Sequence, residues 1–301
     1  MGESRDEKLR RLTRDLARGR LKTAREFFAD GKRSASGQPR QPQTAAETPP
    51  SLPLGEACSG AEHRIATPLG EMPCWLVRRR LAELSPDDLA AQSDYVSVLR
   101  GARQRFDEIE APAALCHVAD GGPEDVLFMD TETCGFSGCP IFLVGVMFCR
   151  NGQLIFEQFL ARDYAEEPPI LQAFADHLAS HRVLVTFNGK SYDMNMIRDR
   201  SVFHGLSLPE EPPHLDLLHA SRRRWKRDLP NCRLQTLERF ICGRRRQGDI
   251  PGSQIPDAYH QFVQTADASA VRDILHHNLL DLLTMVELLT ALLTNTQRDT
   301  P

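Results

Sequence analysis

The 301-residue chain has no cysteines at CxxC spacing, only 7% aromatic residues, and an N-terminus, MGESRDEKLRRLTRD, with no apolar segment. Each shortage excludes a class. The eight cysteines, at 58, 74, 116, 134, 139, 149, 232 and 242, fit neither a zinc ribbon nor a disulfide framework and read as mostly free, buried thiols. A charged start is not a secretory h-region, and no apolar run is expected to approach the roughly 20 residues that span a bilayer. The expected compartment is therefore cytoplasmic, with no membrane partner. With 41% hydrophobic and 26% charged residues the chain buries one good core, and the net charge of -4 says little until it is mapped along the sequence.

The map is uneven. Residues 1–50 hold twelve Lys/Arg against seven Asp/Glu and end in GKRSASGQPRQPQTAAETPP, a Pro/Gly/Ser/Gln-rich stretch too polar to fold. They read as a flexible basic segment with one short helix. Residues 51–122 read as an extension packed on the main domain, with a short hairpin near 66–78 and a helix in SPDDLAAQSDYVSVLRGARQRF, where Ser85 is the N-cap and Asp88 its third-position partner. Residues 123–295 form the main domain, and 296–301 a tail.

Within the main domain, β-rich runs and helices alternate. VLFMD, IFLVGVMFC and QLIFEQFLA follow one another closely, the last two joined across Asn151-Gly152, a strong hairpin signal. PILQAFADHLAS reads as helix, VLVTF as a buried strand, DMNMIRDRSVFHGL as helix and HLDLL as a fifth strand, before a helical tail. The pattern predicts an α/β fold with a mixed five-stranded sheet, an antiparallel meander of three strands plus two parallel ones, flanked by helices.

Four acids stand out. Asp130 and Glu132 lie two residues apart at the end of the first strand and so share one face of it. An apolar strand that delivers two carboxylates side by side needs a cation, and a hard divalent ion is the natural one. Asp193 follows the strand ending in FNGKSYD at a helix start, where an acid is also favoured by capping alone. Asp281 lies between Leu279, Leu280, Leu282 and Leu283, and a carboxylate in such a run is seldom without a partner. His277 precedes it by one helical turn and shares its face, whereas His276 lies well around the helix; His277 is favoured and His276 is the alternative.

MDTET, FNGKSYD and HNLLD, in that order on those elements, resemble the three motifs of the DEDD exonucleases of the ribonuclease H-like superfamily. With HLDLLHASRRRWKRDLPNCRLQTLE and GDIPGSQIPDAYHQF, the chain looks most similar to the YprB-like ribonuclease H-like domain proteins over about residues 123–295. The resemblance implies a ribonuclease H-like fold and a metal-dependent nuclease, a 3′ to 5′ exonuclease acting on DNA or RNA, with a single strand or 3′ end as substrate. It assigns Asp130, Glu132, Asp193 and Asp281 as ligands and His277 as general base or orienter of the attacking water. Two Mg²⁺ or Mn²⁺ ions are the cofactors expected, with Asp130 bridging them, Glu132 and Asp281 on one and Asp193 on the other. A nucleic-acid-binding module with little or no cleavage, and a structure-specific endonuclease, are the competing readings.

Substrate contacts are expected from Thr131 and Thr133 beside the first motif, from Asn188 and Lys190 on the loop before Asp193, and from Arg222, Arg223 and Arg224. Those arginines open a basic stripe continued by Lys226, Arg227, Arg233, Arg239, Arg244, Arg245 and Arg246, and a phosphate backbone needs such a stripe. Trp225 could stack on a base of a single strand but reads rather as core, Asp216 is a candidate fifth acid that reads rather as structural, and Cys134 and Cys139 read as the turn into the second strand.

Overall fold

The computed structural model describes residues 51–83, 86–106, 113–135, 138–246 and 248–295. The expected N-terminal helix, the Ser85 cap with the Asp88 side chain, and the tail lie outside the described residues.

In chain order the elements are α1 (Leu54–Ala57), β1 (Ala61–Thr67), β2 (Gly70–Arg80), α2 (Pro86–Phe106), α3 (Ala113–Asp120), β3 (Val126–Thr133), β4 (Ile141–Arg150), β5 (Gln153–Leu160), α4 (Glu167–Ser180), β6 (Val183–Thr186), α5 (Asp193–Phe203), β7 (His214–Asp216), α6 (Leu217–Trp225), α7 (Leu234–Phe240), α8 (Ile255–Thr265) and α9 (Val271–Asn295). Asn151 and Gly152, both at positive φ, close the β4–β5 hairpin as their sequence signals.

The seven strands form one sheet in the order β1-β2-β5-β4-β3-β6-β7. β3, β4 and β5 are the antiparallel meander, and β6 and β7 extend it in parallel beyond β3. The sheet thus has seven strands rather than five. The extra two are the hairpin of the N-terminal extension: β2 pairs antiparallel with β5 through Trp75↔Leu160 to Arg80↔Ile155, so the extension continues the sheet instead of sitting on it. The hairpin covers more chain than the expected 66–78. Only Ile65 of β1 is buried, so its sequence carries almost no apolar pattern.

β4, in the middle of the sheet, is buried along IFLVGVMFC because helices cover both faces. Alternation along β3 separates the two layers. Leu127 and Met129 join the core with Ile170, Phe174, Met194 and Ile197 of α4 and α5, whereas Val126 and Phe128 join Tyr95 and Leu99 of α2 and Leu282, Met285 and Val286 of α9. Each such side chain, fully buried, contributes roughly 1.5–3 kcal/mol. Trp225 is one of these core residues, so its ring is not available to stack on a base.

α9 corrects one expectation. Among the described residues, Val271–Thr294 is long and apolar enough to cross a membrane by length and composition, and 61% of its apolar window is buried inside the fold. It is apolar on several sides because it packs on β3, β4, α2 and α6 at once.

Candidate active site

The alternation that sorts the core also aims the acids. Asp130 and Glu132 follow Val126 and Phe128 onto the α9 face of β3, and Thr131 follows Leu127 and Met129 onto the other. There the Thr131 hydroxyl donates to Asp193 Oδ1 at 2.5 Å, fixing the first residue of α5 against the strand. On the α9 side, Asn278 Nδ2 donates to Asp130 Oδ2 at 2.8 Å, while Gln158 Nε2 donates to Asn278 Oδ1 at 2.9 Å and to the Leu275 carbonyl at 2.7 Å.

The loop between β6 and α5 is anchored by Asp216. Its Oδ1 accepts from the Asn188 amide at 2.8 Å and the Leu218 amide at 3.0 Å, and its Oδ2 from the Lys190 amide at 3.2 Å. Asp216 thus caps α6 and shapes the approach to Asp193, a structural role in keeping with its place on the strand. Gly189 is required here, since a Cβ would lie 2.5 Å from Thr186 Oγ1.

His277 and Asp281 share one face of α9, with His277 Nε2 3.6 Å from Asp281 Oδ2. Nδ1 of the same ring faces both Asp249 oxygens at 3.0 Å. His277 is buried among these groups, whereas His276 is exposed and lines a different cleft with Arg79, Arg272 and Gln158.

The four acids feel one another. Withdrawal from water, then the charges of Asp281, Glu132 and Asp193, push the Asp130 carboxyl well above the usual carboxylate range. The same desolvation, with Asp281 and Asp193, raises Glu132. Asp193 is pushed up to about 6, mainly by burial, with the Thr131 hydroxyl pulling it back. Such a cluster holds more carboxylates than positive charge, and its donors are all the hard oxygens that Mg²⁺ and Mn²⁺ take. By charge and chemistry the residues fit divalent cations. Among the described residues no three His, Cys, Asp or Glu side chains already form a metal cage. Asp130, Asp193 and Asp281 are instead each held by a hydrogen bond from within the protein.

A family model for the RNase_H superfamily matches residues 127–293, the stretch that contains all four acids and more than half of the chain. The chain belongs to the RNase_H superfamily. It is 32% identical over 169 residues to the "Uncharacterized protein YprB" of Bacillus subtilis (strain 168), an alignment covering 54% of this chain and 41% of that protein. The chain therefore spans well under half of this relative. Among solved structures, the family B DNA polymerase from the hyperthermophilic archaeon Pyrobaculum calidifontis aligns with a TM-score of 0.44 and 14% identity, covering 54% of this chain and 24% of that one. Superfamily membership and the identity to YprB bear out the resemblance to YprB-like ribonuclease H-like domain proteins, and membership points to nuclease chemistry.

Several expected substrate contacts are placed differently. Thr131 is turned inward onto Asp193, and the Thr133 hydroxyl donates to the Gly135 carbonyl at 2.7 Å, so both serve the protein. Asn188 and Lys190 are exposed on the loop, and Arg222 and Arg223 are exposed in the last turn of α6, with Arg224 half-buried behind them. The basic stripe is not one surface. Arg244 is paired with Glu287, and Arg246 with Glu238, Asp249 and Asp281. Cys134 and Cys139 flank the β3–β4 turn as free thiols, the former pushed up to about 12 by burial.

The sequence reading missed Asp249, Glu238, Asn278 and Gly145. An isolated glycine inside the apolar β4 run was the one available signal, since such a residue marks a close approach. Asp249 lies in the glycine- and proline-rich connection between α7 and α8, where no periodicity indicates which way a side chain points.

Proposed function

We propose that this chain is a metal-dependent nuclease that hydrolyses phosphodiester bonds of nucleic acid, removing nucleotides from a 3′ end. The observation that carries the reading is the convergence of Asp130, Glu132, Asp193 and Asp281, from β3, α5 and α9, into one electrostatically coupled cluster within a superfamily domain. These four side chains would hold Mg²⁺ or Mn²⁺. Bound there, the ions supply a water that is nucleophilic near neutral pH and a counter-charge for the leaving oxygen.

The remaining roles belong to the chain itself. His277 presents Nε2 on the Asp281 side and accepts the proton of the attacking water, while Asp249 on Nδ1 holds the ring in place. The Gln158–Asn278–Asp130 chain fixes Asp130 across the sheet. Exposed Arg222, Arg223, Arg239 and Arg245, with Lys190, are among the cations available for phosphates of the strand.

One observation favours a binding module with little cleavage: the Arg246 guanidinium already stands on Asp281. Incubating the full chain with end-labelled single-stranded and duplex DNA and RNA, in Mn²⁺, Mg²⁺ or EDTA, separates the readings. A ladder shortening from the 3′ end and abolished by EDTA is the expected result. Internal cuts would mean an endonuclease, and binding without cleavage in any metal would mean the binding module.

A further inference from the structure

The connection between α7 and α8 carries a cation into the acid cluster. Arg246 Nε donates to Glu238 Oε2 at 2.6 Å, Nη1 donates to Asp249 Oδ2 at 3.1 Å, and Nη2 donates to Asp281 Oδ1. Only 8% of the Arg246 side chain is exposed. Burial opposes its charge, but Asp281 and Glu238 outweigh that cost and its pKa is raised, so the guanidinium is a fixed positive charge.

This charge lies where a divalent ion held by Asp281 would need oxygen donors. Arg246 binds one Asp281 oxygen, and the other lies 3.6 Å from His277 Nε2, beyond hydrogen-bond distance, so the guanidinium occupies one of the two oxygens that the carboxylate has to offer a cation. The opposite end of the cluster differs. Arg246 reaches Glu238, Asp249 and Asp281 but neither Asp130 nor Glu132, and Asp130 Oδ2 accepts only from the neutral Asn278 amide among the described residues.

We propose that Arg246 is a resident counter-cation that competes with a divalent ion for Asp281. The resting chain then takes a divalent ion at the Asp130 and Glu132 end of the cluster, and Asp281 becomes a full ligand only when the guanidinium leaves it. The inference rests on the reading of the four acids as a cation site. Cation uptake at Asp281 is in this way coupled to the position of the Arg246 guanidinium, and Arg246 is a positioning residue that sets which acids are free to bind.

The test is Mn²⁺ binding without substrate, by calorimetry, on the full chain and on Arg246→Gln. Removing one positive charge in contact with a ligand carboxylate is expected to tighten Mn²⁺ binding at least about tenfold. Unchanged or weaker binding by Arg246→Gln would overturn the competition and leave Arg246 as a scaffold for Asp281. Because the variant leaves Glu238 and Asp249 without a counter-charge, the same question is put to the wild type. The ¹⁵N signal of Arg246 Nε, assigned by its loss in Arg246→Lys, is followed during Mg²⁺ titration. Faster exchange with solvent as Mg²⁺ binds supports displacement, and a signal that stays protected at saturating Mg²⁺ refutes it. Wild type that takes up no divalent ion at all would overturn the cation-site reading as well, which distinguishes that failure from failure of the competition alone.

Discussion

Asn278 reaches Asp130 because residue 145 has no side chain. Asp130 and Gly145 are directly paired across β3 and β4, and a Cβ on residue 145 would lie 2.0 Å from Asn278 Oδ1. The amide of α9 occupies that space and donates to Asp130 Oδ2 at 2.8 Å. Gly145→Ala should push α9 from the sheet or drive Asn278 from its rotamer, at a cost of about 1–3 kcal/mol. Urea melts of the two proteins check it, and an alanine variant as stable as wild type would show that the close approach is not needed.

Asp216 acts at a distance from the chemistry. Its buried carboxylate accepts from the amides of Asn188, Lys190 and Leu218. Asp216→Ala removes three charge-assisted bonds and is expected to cost about 3 kcal/mol or more. Hydrolysis should fall as well, because the loop delivers Asp193. Asp216→Asn keeps two acceptor lone pairs on one oxygen and should retain part of both. If Asp216→Ala were fully active with an unchanged melting curve, the loop would have to be held by other contacts.

The junction of the N-terminal hairpin with the sheet should be sensitive to acid. Glu157 is buried, which alone would raise its pKa, yet His177 at 3.0 Å and Arg78 at 2.6 Å bring it below the ordinary value. A folded-state pKa below the unfolded one, about 4.3 for glutamate, contributes stability above that pH that is lost as pH falls through the folded pKa. Glu157→Gln should therefore be less stable than wild type near neutrality, with the difference closing below about pH 4. A difference independent of pH would assign the loss to packing.

The meander and the parallel pair were legible because their apolar runs are short, β-rich and separated by clear turn signals, as at Asn151-Gly152. The two strands added by the hairpin were not. Only Ile65 of β1 is buried, and the pairing of β2 with β5 spans some eighty residues, which no local pattern reports. Asp130, Glu132 and Asp281 stand out in the sequence because they end or interrupt an apolar element, and Asp193 because it begins a helix just after a buried strand. Arg246 was visible only as one charge in a basic stripe. Its direction depends on a connection of glycine, proline and charge, so its partners Glu238, Asp249 and Asp281 emerged only from the fold. The same is true of Asn278, an ordinary polar residue on a helix until Gly145 is placed opposite Asp130.

Hydrolysis by wild type, Asp130→Asn and Asp281→Asn, purified identically and matched by melting curve, tests most directly whether the acid cluster does the chemistry. With Mn²⁺ and an end-labelled strand, both variants should lose about 10³-fold or more in rate, the several kcal/mol of charge stabilisation that bound cations supply, while still binding the strand. Cleavage by either variant at the wild-type rate would contradict a metal-dependent reaction at these four carboxylates.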